Sequence, residues 1–317
     1  MKIIPWQEDR IEEIISLWNK EIGKDFPITR ELLIQNSMLD KNILNEGTLL
    51  ALNDANKVVG FIVSKMWKED LMHDIEPESA FIQVLLVDTE VRNKGVGSSL
   101  LSSAEEIFSR MDIKRIFLGS DPFHYFPGIP AHYQETERWF LLKGYTKKER
   151  VADLMRQYTS ADKSVKPEIA GAEVCLLQPV DKEPFLHFLH RCFPGRWAYE
   201  TMKYFEKGGS GREFVLLKKE NRIIGFCRIN DCPFPYIAQN INWSALFSDE
   251  GIGGIGPLGI DPAERGHGYG LAIVESGIWF LRQRGISRII IDWTNLIAFY
   301  QKLGYAVWKE YDLFQKN

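Results

Sequence analysis

Val87-Asp88-Thr89-Glu90-Val91-Arg92-Asn93-Lys94-Gly95-Val96-Gly97 runs from an apolar stretch through a glycine-rich turn. Ile260-Asp261-Pro262-Ala263-Glu264-Arg265-Gly266-His267-Gly268-Tyr269-Gly270 does the same in the second half of the chain. Both turns read Arg-x-x-Gly-x-Gly. The runs before them, 81–87 and 255–260, have the length and β-branched content of buried strands. The runs after them, 96–111 and 269–284, have helical spacing. The first N–H groups of a helix have no internal partner and lie at the positive end of its dipole. Glycine lets that backbone approach an anion without a Cβ in the way. A diphosphate is the natural ligand. Neither turn continues into the Gly-Lys-Ser/Thr of a nucleotide P-loop, and neither has Gly-x-Gly-x-x-Gly.

Working outward, further stretches recur in the same order. Asn56-Lys57-Val58-Val59-Gly60-Phe61 matches Asn221-Arg222-Ile223-Ile224-Gly225-Phe226 at an offset of 165. The glycine turns match at 173, as do Asp112 to Phe117 with Gly285 to Ile290, and Gly144-Tyr145 matches Gly304-Tyr305 at 160. Ordered matches with drifting offsets indicate two related domains with loop insertions, not a solenoid. The 317 residues suit two domains of about 150. We expect domains at 1–157 and 172–317, with a polar connector at 158–171. Each half reads as a starting strand (2–5; 173–177), a helical region, a hairpin (48–52 with 58–63; 214–218 with 223–228) and the central strand. The glycine turn, a helix and a β-branched strand (115–118; 288–291) follow, then a helix ending in Gly-aromatic and a last strand.

Composition excludes some classes. Charged residues are 26% of the chain and the net charge is −4, so no basic field argues for nucleic acid or an anionic membrane. No run approaches 18 apolar residues, and the N-terminal stretch lacks the apolar core of a signal peptide, so a cytoplasmic protein is expected. Cys175, Cys192, Cys227 and Cys232 form no Cys-x-x-Cys, so we expect reduced buried thiols and no metal site.

The motif Val87-Asp88-x-x-Val91-Arg92-x-x-Gly95-x-Gly97, and its copy Ile260-Asp261-Pro262-x-x-Arg265-x-x-Gly268-x-Gly270, resemble the coenzyme A pyrophosphate motif of the GNAT acetyltransferase superfamily. Phe140 to Tyr145 and Phe299 to Tyr305 resemble its second motif, a helix ending in Gly-aromatic. The resemblance covers nearly the whole chain. It implies an α+β fold of two tandem GNAT-like domains, each a mixed, mostly antiparallel twisted sheet with a splayed parallel pair and flanking helices. It also implies an N-acetyltransferase that moves an acetyl group from acetyl-CoA to an amine, on a small molecule or a peptide. Coenzyme A would lie against Leu85, Val87, Arg92, Asn93, Lys94, Gly95, Val96, Gly97 and Ser98 in the first domain. In the second it would lie against Leu258, Ile260, Arg265, Gly266, His267, Gly268, Tyr269 and Gly270. The N–H groups of Leu85 and Leu258 would polarise the thioester.

A tyrosine four residues before the Gly-aromatic pair is the family's usual proton donor to the leaving thiolate. Tyr300 stands there in the second domain and Phe140 in the first, so the second is favoured as catalytic. The glutamate some members carry on the central strand would fall near Phe81 or Gly254, neither of which takes a proton. Asp292, just past its strand, is the best second-domain base, with a water chain or an already neutral acceptor as the alternatives. Arg92 to Gly144 spans 52 residues against 39 for Arg265 to Gly304. The extra 13 fall in a loop after the splayed strand, rich in groups that bind or titrate. Asp121, His124, Tyr125 and the nearby Tyr133 are candidates to contact the acceptor, with plain packing as the alternative. An acidic acceptor cleft would draw on Asp88, Glu90 or Asp249-Glu250. The competing functional reading is an acyl-CoA-binding module with one or both domains silent.

Overall fold

The computed structural model describes residues 1–69, 78–163, 165–247 and 251–317. Asp249 and Glu250 lie outside them. The elements run β1 (Lys2–Pro5), α1 (Ile11–Glu21), α2 (Arg30–Ser37), β2 (Leu49–Leu52), β3 (Val58–Met66), β4 (Ser79–Val87), α3 (Val96–Arg110), β5 (Arg115–Leu118), β6 (Ile129–Pro130), α4 (Gln134–Leu142) and β7 (Thr146–Gln157). They continue with β8 (Glu173–Leu176), α5 (Lys182–Cys192), α6 (Arg196–Glu206), β9 (Phe214–Lys219), β10 (Arg222–Asn230), β11 (Ile252–Ile260), α7 (Tyr269–Gln283), β12 (Arg288–Thr294), α8 (Ile297–Gln301) and β13 (Ala306–Lys316). Among the described residues no helix is long and apolar enough to cross a membrane.

Two compact units form. One holds residues 1–69, 78–151 and 309–317, the other Ala152–Trp308. The divisions fall inside β7 and inside β13. Periodicity leaves each of these strands with its own half of the chain. In the structure the far end of each completes the other half's unit, because strand pairing is a long-range choice that local pattern does not encode.

In the first unit the strand order is β1-β2-β3-β4-β5, followed by the end of β13. β13 runs antiparallel to β5 through Phe314↔Leu118, Gln315↔Phe117 and Lys316↔Ile116. Tyr311 and Asp312 of the same strand pair with β6. β3 is buried from Val58 to Lys65, with α1 and α3 both packed on it, and it reads from Val58 to Val63 as an apolar run rather than an alternating one. The turn into β3 is closed by Asn53, whose Oδ1 accepts from the N–H groups of Ala55 and Lys57. α3 turns Val96, Leu100, Leu101, Ala104 and Phe108 inward, one stripe at helical spacing.

In the second unit the order is β7-β12-β11-β10-β9-β8. Glu220 and Asn221, with φ of 50° and 61°, make the two-residue turn between β9 and β10 that suits the twist of a hairpin. α7 covers β10 closely at Gly277, where a Cβ would stand 3.0 Å from Cys227 Sγ. The four cysteines are free; Cys227 is buried and the other three are half-buried.

The expected mixed sheets with one parallel pair each are what the structure shows. β4 and β5 are parallel only from Ser79↔Arg115 to Ile82↔Leu118. β11 and β12 are parallel only from Ile252↔Arg288 to Ile255↔Ile291. Beyond those pairs each couple forks.

Candidate active site

Backbone polarity at each fork follows from ladder parity. Asp88 N–H donates to Val59 O (2.9 Å) and Asp261 N–H to Ile224 O (2.8 Å). In an antiparallel ladder hydrogen-bonded and non-bonded pairs alternate. Leu85↔Ile62 and Leu258↔Cys227 are therefore non-bonded pairs, and the N–H groups of Leu85 and Leu258 point into the fork. The carbonyls of Val87 and Ile260 point the same way, and each accepts from an arginine Nε: Arg92 at 3.0 Å, Arg265 at 3.3 Å.

The glycine turns are built alike. Asn93 and Gly95 have φ of 61° and 87°; Gly266 and Gly268 have 89° and 78°. A Cβ added at Gly95, Gly266 or Gly268 would meet nothing within 4 Å. Left-handed backbone, not crowding, accounts for these glycines, and the space above them is open to an anion. Each turn is pinned from behind. Asp88 accepts from Glu90 N–H and pairs with Lys20, and these hold its carboxyl below the usual range against the effect of burial. Asp261 is held low by Arg191, by the Ala263 N–H and by Arg222. Glu264 pairs with Lys219 and Arg222. Lys94 donates to Glu90 O at 3.0 Å. His267 stacks on Tyr269 with Nδ1 3.2 Å from Glu264 O.

The first fork opens into a cavity of about 590 Å³. Leu85, Val87, Arg92, Asn93, Gly95, Val96, Gly97, Ser98, Tyr133 and Phe140 line it, while Lys94 does not. Burial, then Asp25, pushes the Tyr133 phenol up to about 12. Its far end is filled. Residues 121–130 are all buried. Asp121 is fully enclosed and pairs with the equally buried Lys65 at 2.6 Å, which also reaches Asp40 at 2.8 Å. Gln83 donates to Asp121 Oδ2 and accepts from Ser37, whose hydroxyl meets the Tyr125 phenol at 2.6 Å. Tyr125 and Phe126 pack on Trp18, and Phe126 on Phe26. His124 is 3% exposed. Asp121, His124 and Tyr125, expected to meet an acceptor, are thus committed to the core; of that group only Tyr133 faces the cavity. A buried lysine between two carboxylates demands partners for every charge, and that demand orders the loop.

The second fork is polar where the first is plugged. Periodicity places Asp292 just past its strand; the structure carries β12 on to Thr294, with Asp292 and Trp293 inside it. Asp292 Oδ1 lies 3.3 Å from where a Cβ on Gly256 would stand. Asn240 fills the place of a side chain at Gly254, so no glutamate fits there. Asn240 accepts from Asn230 at 3.0 Å. Arg196 lies 4.9 Å over the Trp293 ring and pairs with Glu200 at 2.7 Å. Although the residue keeps some exposure, burial of its carboxyl, then the charge of Asp153, pushes Asp292 up to about 7. Tyr300, 5% exposed on α8, is pushed up chiefly by burial, with the nearby Cys227 and Asp292 adding to it.

Periodicity missed Asp153, Arg196, Glu200 and Asn240, which come from three segments far apart in sequence: β7, α6 and the loop before β11. One signal was available. At the offset of 173 that aligns the turns, Gly119 stands where Asp292 does.

The model of the acetyltransferase (GNAT) family matches residues 11–125 and 182–305, so the chain belongs to that family and carries its domain twice. Among curated proteins it is similar to an uncharacterized N-acetyltransferase of Methanocaldococcus jannaschii, 26% identical over 132 residues, which are 39% of this chain and 56% of that protein. It is also similar to the mycothiol acetyltransferase of Thermobispora bispora, 28% identical over 143 residues, 40% of this chain and 44% of that one. The matched stretch spans about half the length of these relatives. Among solved structures it is similar to the GCN5-related glucosamine N-acetyltransferase region of a fungal multi-domain GH3 β-N-acetylglucosaminidase. That match has a TM-score of 0.85 and 24% identity, over 99% of this chain and 38% of the other, which is a likeness of fold.

Proposed function

We propose that the second unit transfers an acetyl group from acetyl-CoA to an amine, and that the first unit holds acyl-CoA without turning it over. One observation carries this reading. At matching registers the second fork presents Asp292 and Tyr300, and the first presents Gly119 and Phe140. Both forks fit the donor. The open left-handed turns suit its pyrophosphate, and the inward N–H groups of Leu85 and Leu258 suit its pantetheine arm and thioester. Only the second carries acid and base groups for an acceptor. Asp292, Asp153 and Glu200 stand there with the Arg196 guanidinium, Arg228 also acts on Glu200, and the carboxylate base suits an amine acceptor on a small molecule or peptide. The free thiols fit a reducing, cytoplasmic setting.

The residues then divide the work. Asp292, ionised above about pH 7, takes a proton from the acceptor nitrogen as that nitrogen bonds to the acyl carbon. The Leu258 N–H stabilises charge on the acyl oxygen. As the C–S bond breaks, Tyr300 donates its hydroxyl proton to sulfur and regains one by way of Asp292 and solvent. Burial keeps this phenol protonated throughout the neutral range, so the donor is always loaded.

Thiol release from acetyl-CoA, followed across a panel of primary amines, tests this. Tyr300→Phe and Asp292→Asn should each lower kcat by about 10²-fold or more, the usual scale for a lost acid or base. Unchanged rates in both variants would move the chemistry elsewhere. Acetyl-CoA binding with no release to any amine would leave both units as binding modules.

A further inference from the structure

Asp153 on β7 is 5% exposed and lies opposite an irregularity in β12. The register runs Ile291↔Leu154 and resumes at Thr294↔Ala152, so Asp292 and Trp293 together oppose the one residue Asp153. Such a bulge re-aims a side chain. Trp293 sits at φ 43°, a left-handed backbone that a bulky residue adopts only when its surroundings enforce it. Its N–H donates to Asp153 Oδ1 at 3.0 Å. Arg196, tied to Glu200, lies over its ring. The strained residue is gripped at backbone and side chain, and its neighbour Asp292 is left facing Gly256, the first residue beyond the last parallel pair.

The first unit has the same kink without the chemistry. Ser120, at the register of Trp293, has φ 56°. Gly119 replaces Asp292, and Leu313 stands at the register of Asp153, since Phe314 pairs with Leu118 as Leu154 pairs with Ile291. The kink is common to both forks; the facing carboxylates are peculiar to one.

We propose that Asp153 is a positioning residue of the second unit: it caps the Trp293 N–H and so aims the Asp292 carboxylate into the fork. This rests on the second unit being the one that transfers. The two carboxylates also interact through space. The charged and titratable groups around Asp292 are Asp153 from β7, Arg196 and Glu200 from α6, and Tyr300 from α8. Asp153 and Glu200 raise its proton affinity, and Arg196 opposes them.

Asp153→Asn keeps an oxygen to cap Trp293 and removes the charge; Asp153→Ala removes both. In the full chain labelled with carboxyl-¹³C aspartate, the resonance lost in Asp292→Asn should titrate near 7. In Asp153→Asn its midpoint should fall by about one unit or more, the scale of a removed neighbouring charge. Asp153→Ala should lower kcat for thiol release at least tenfold with KM for acetyl-CoA unchanged. A midpoint that stays put in Asp153→Asn, or full kcat in Asp153→Ala, would overturn the assignment. Should Asp153→Asn fail to fold, Asp153→Glu serves: it keeps the charge, so the midpoint should stay high, and a fall would count against the proposal. If instead Tyr300→Phe and Asp292→Asn both leave thiol release intact, the transferring-unit reading fails, whatever the titration shows.

Discussion

An unfolded aspartate releases its proton near pH 3.9, whereas the folded chain holds that of Asp292 to about pH 7. Between those values the folded state binds the extra proton. The group's contribution to stability is therefore full below about pH 4 and is lost as pH rises through 7. Over roughly three units this is on the order of 4 kcal/mol. Asp292→Asn removes the charge without changing the shape. We expect it to raise the melting temperature by several degrees at pH 8 while kcat falls about 10²-fold or more, with the difference in melting temperature shrinking towards zero near pH 4. Calorimetric melts across that range check it, and equal melting temperatures at pH 8 would show that the carboxylate is not strained by its site. The same titration makes kcat/KM rise with pH and level off above about 7. A residue that weakens the fold in its working state is a familiar mark of a site shaped for chemistry.

At the scale of elements, each glycine turn is a separable device. Gly95→Ala and Gly268→Ala each force a Cβ into left-handed backbone, at a cost of about 1–2 kcal/mol. Nothing in the protein blocks the new methyl, so the fold should survive. The methyl instead occupies the open space over the helix N-terminus. Titration calorimetry with acetyl-CoA should count two sites in the wild type and one in either variant; two unchanged sites would refute the reading of both turns. The turns, strands and helices were legible because period, glycine placement and capping are local. Asn53 and Glu220-Asn221 announce their hairpins in a few residues. The plug and the base were less legible. Asp121, His124 and Tyr125 have the composition of a binding loop, and only the positions of Lys65 and Asp40, remote in sequence, turn that loop inward. Asp292 was legible as a candidate, but its neighbours Asp153, Arg196 and Asn240 come from segments that meet only on folding. Leu85 and Leu258, picked out by alignment with the turn, turn their N–H groups away from β3 and β10, since a fixed number of residues separates strand from helix.

At the scale of the molecule, the exchanged strands set the dependencies. Lys309–Asn317 gives the first unit the buried Tyr311, Asp312 and Phe314, and the pairing that backs β5. Asp312 also takes a two-pronged contact from Arg150, at 2.8 and 2.9 Å. Burying the two aromatic rings alone is worth roughly 1.5–3 kcal/mol each. Deleting 309–317 should therefore strip protection from 115–130 in hydrogen exchange and close the cavity at the first fork, while 214–230 stay protected. Retained protection at 115–130 would mean that β5 does not need this neighbour.

The exchange also bears on how the chain is made. A ribosome delivers residues 1–151 well before 309–317, so the half synthesised first is completed last. Until the strand at 309–317 emerges, β5 and the buried loop behind it wait with one side uncovered. A nascent chain in that condition is exposed to misassembly for the whole time its second half is being translated.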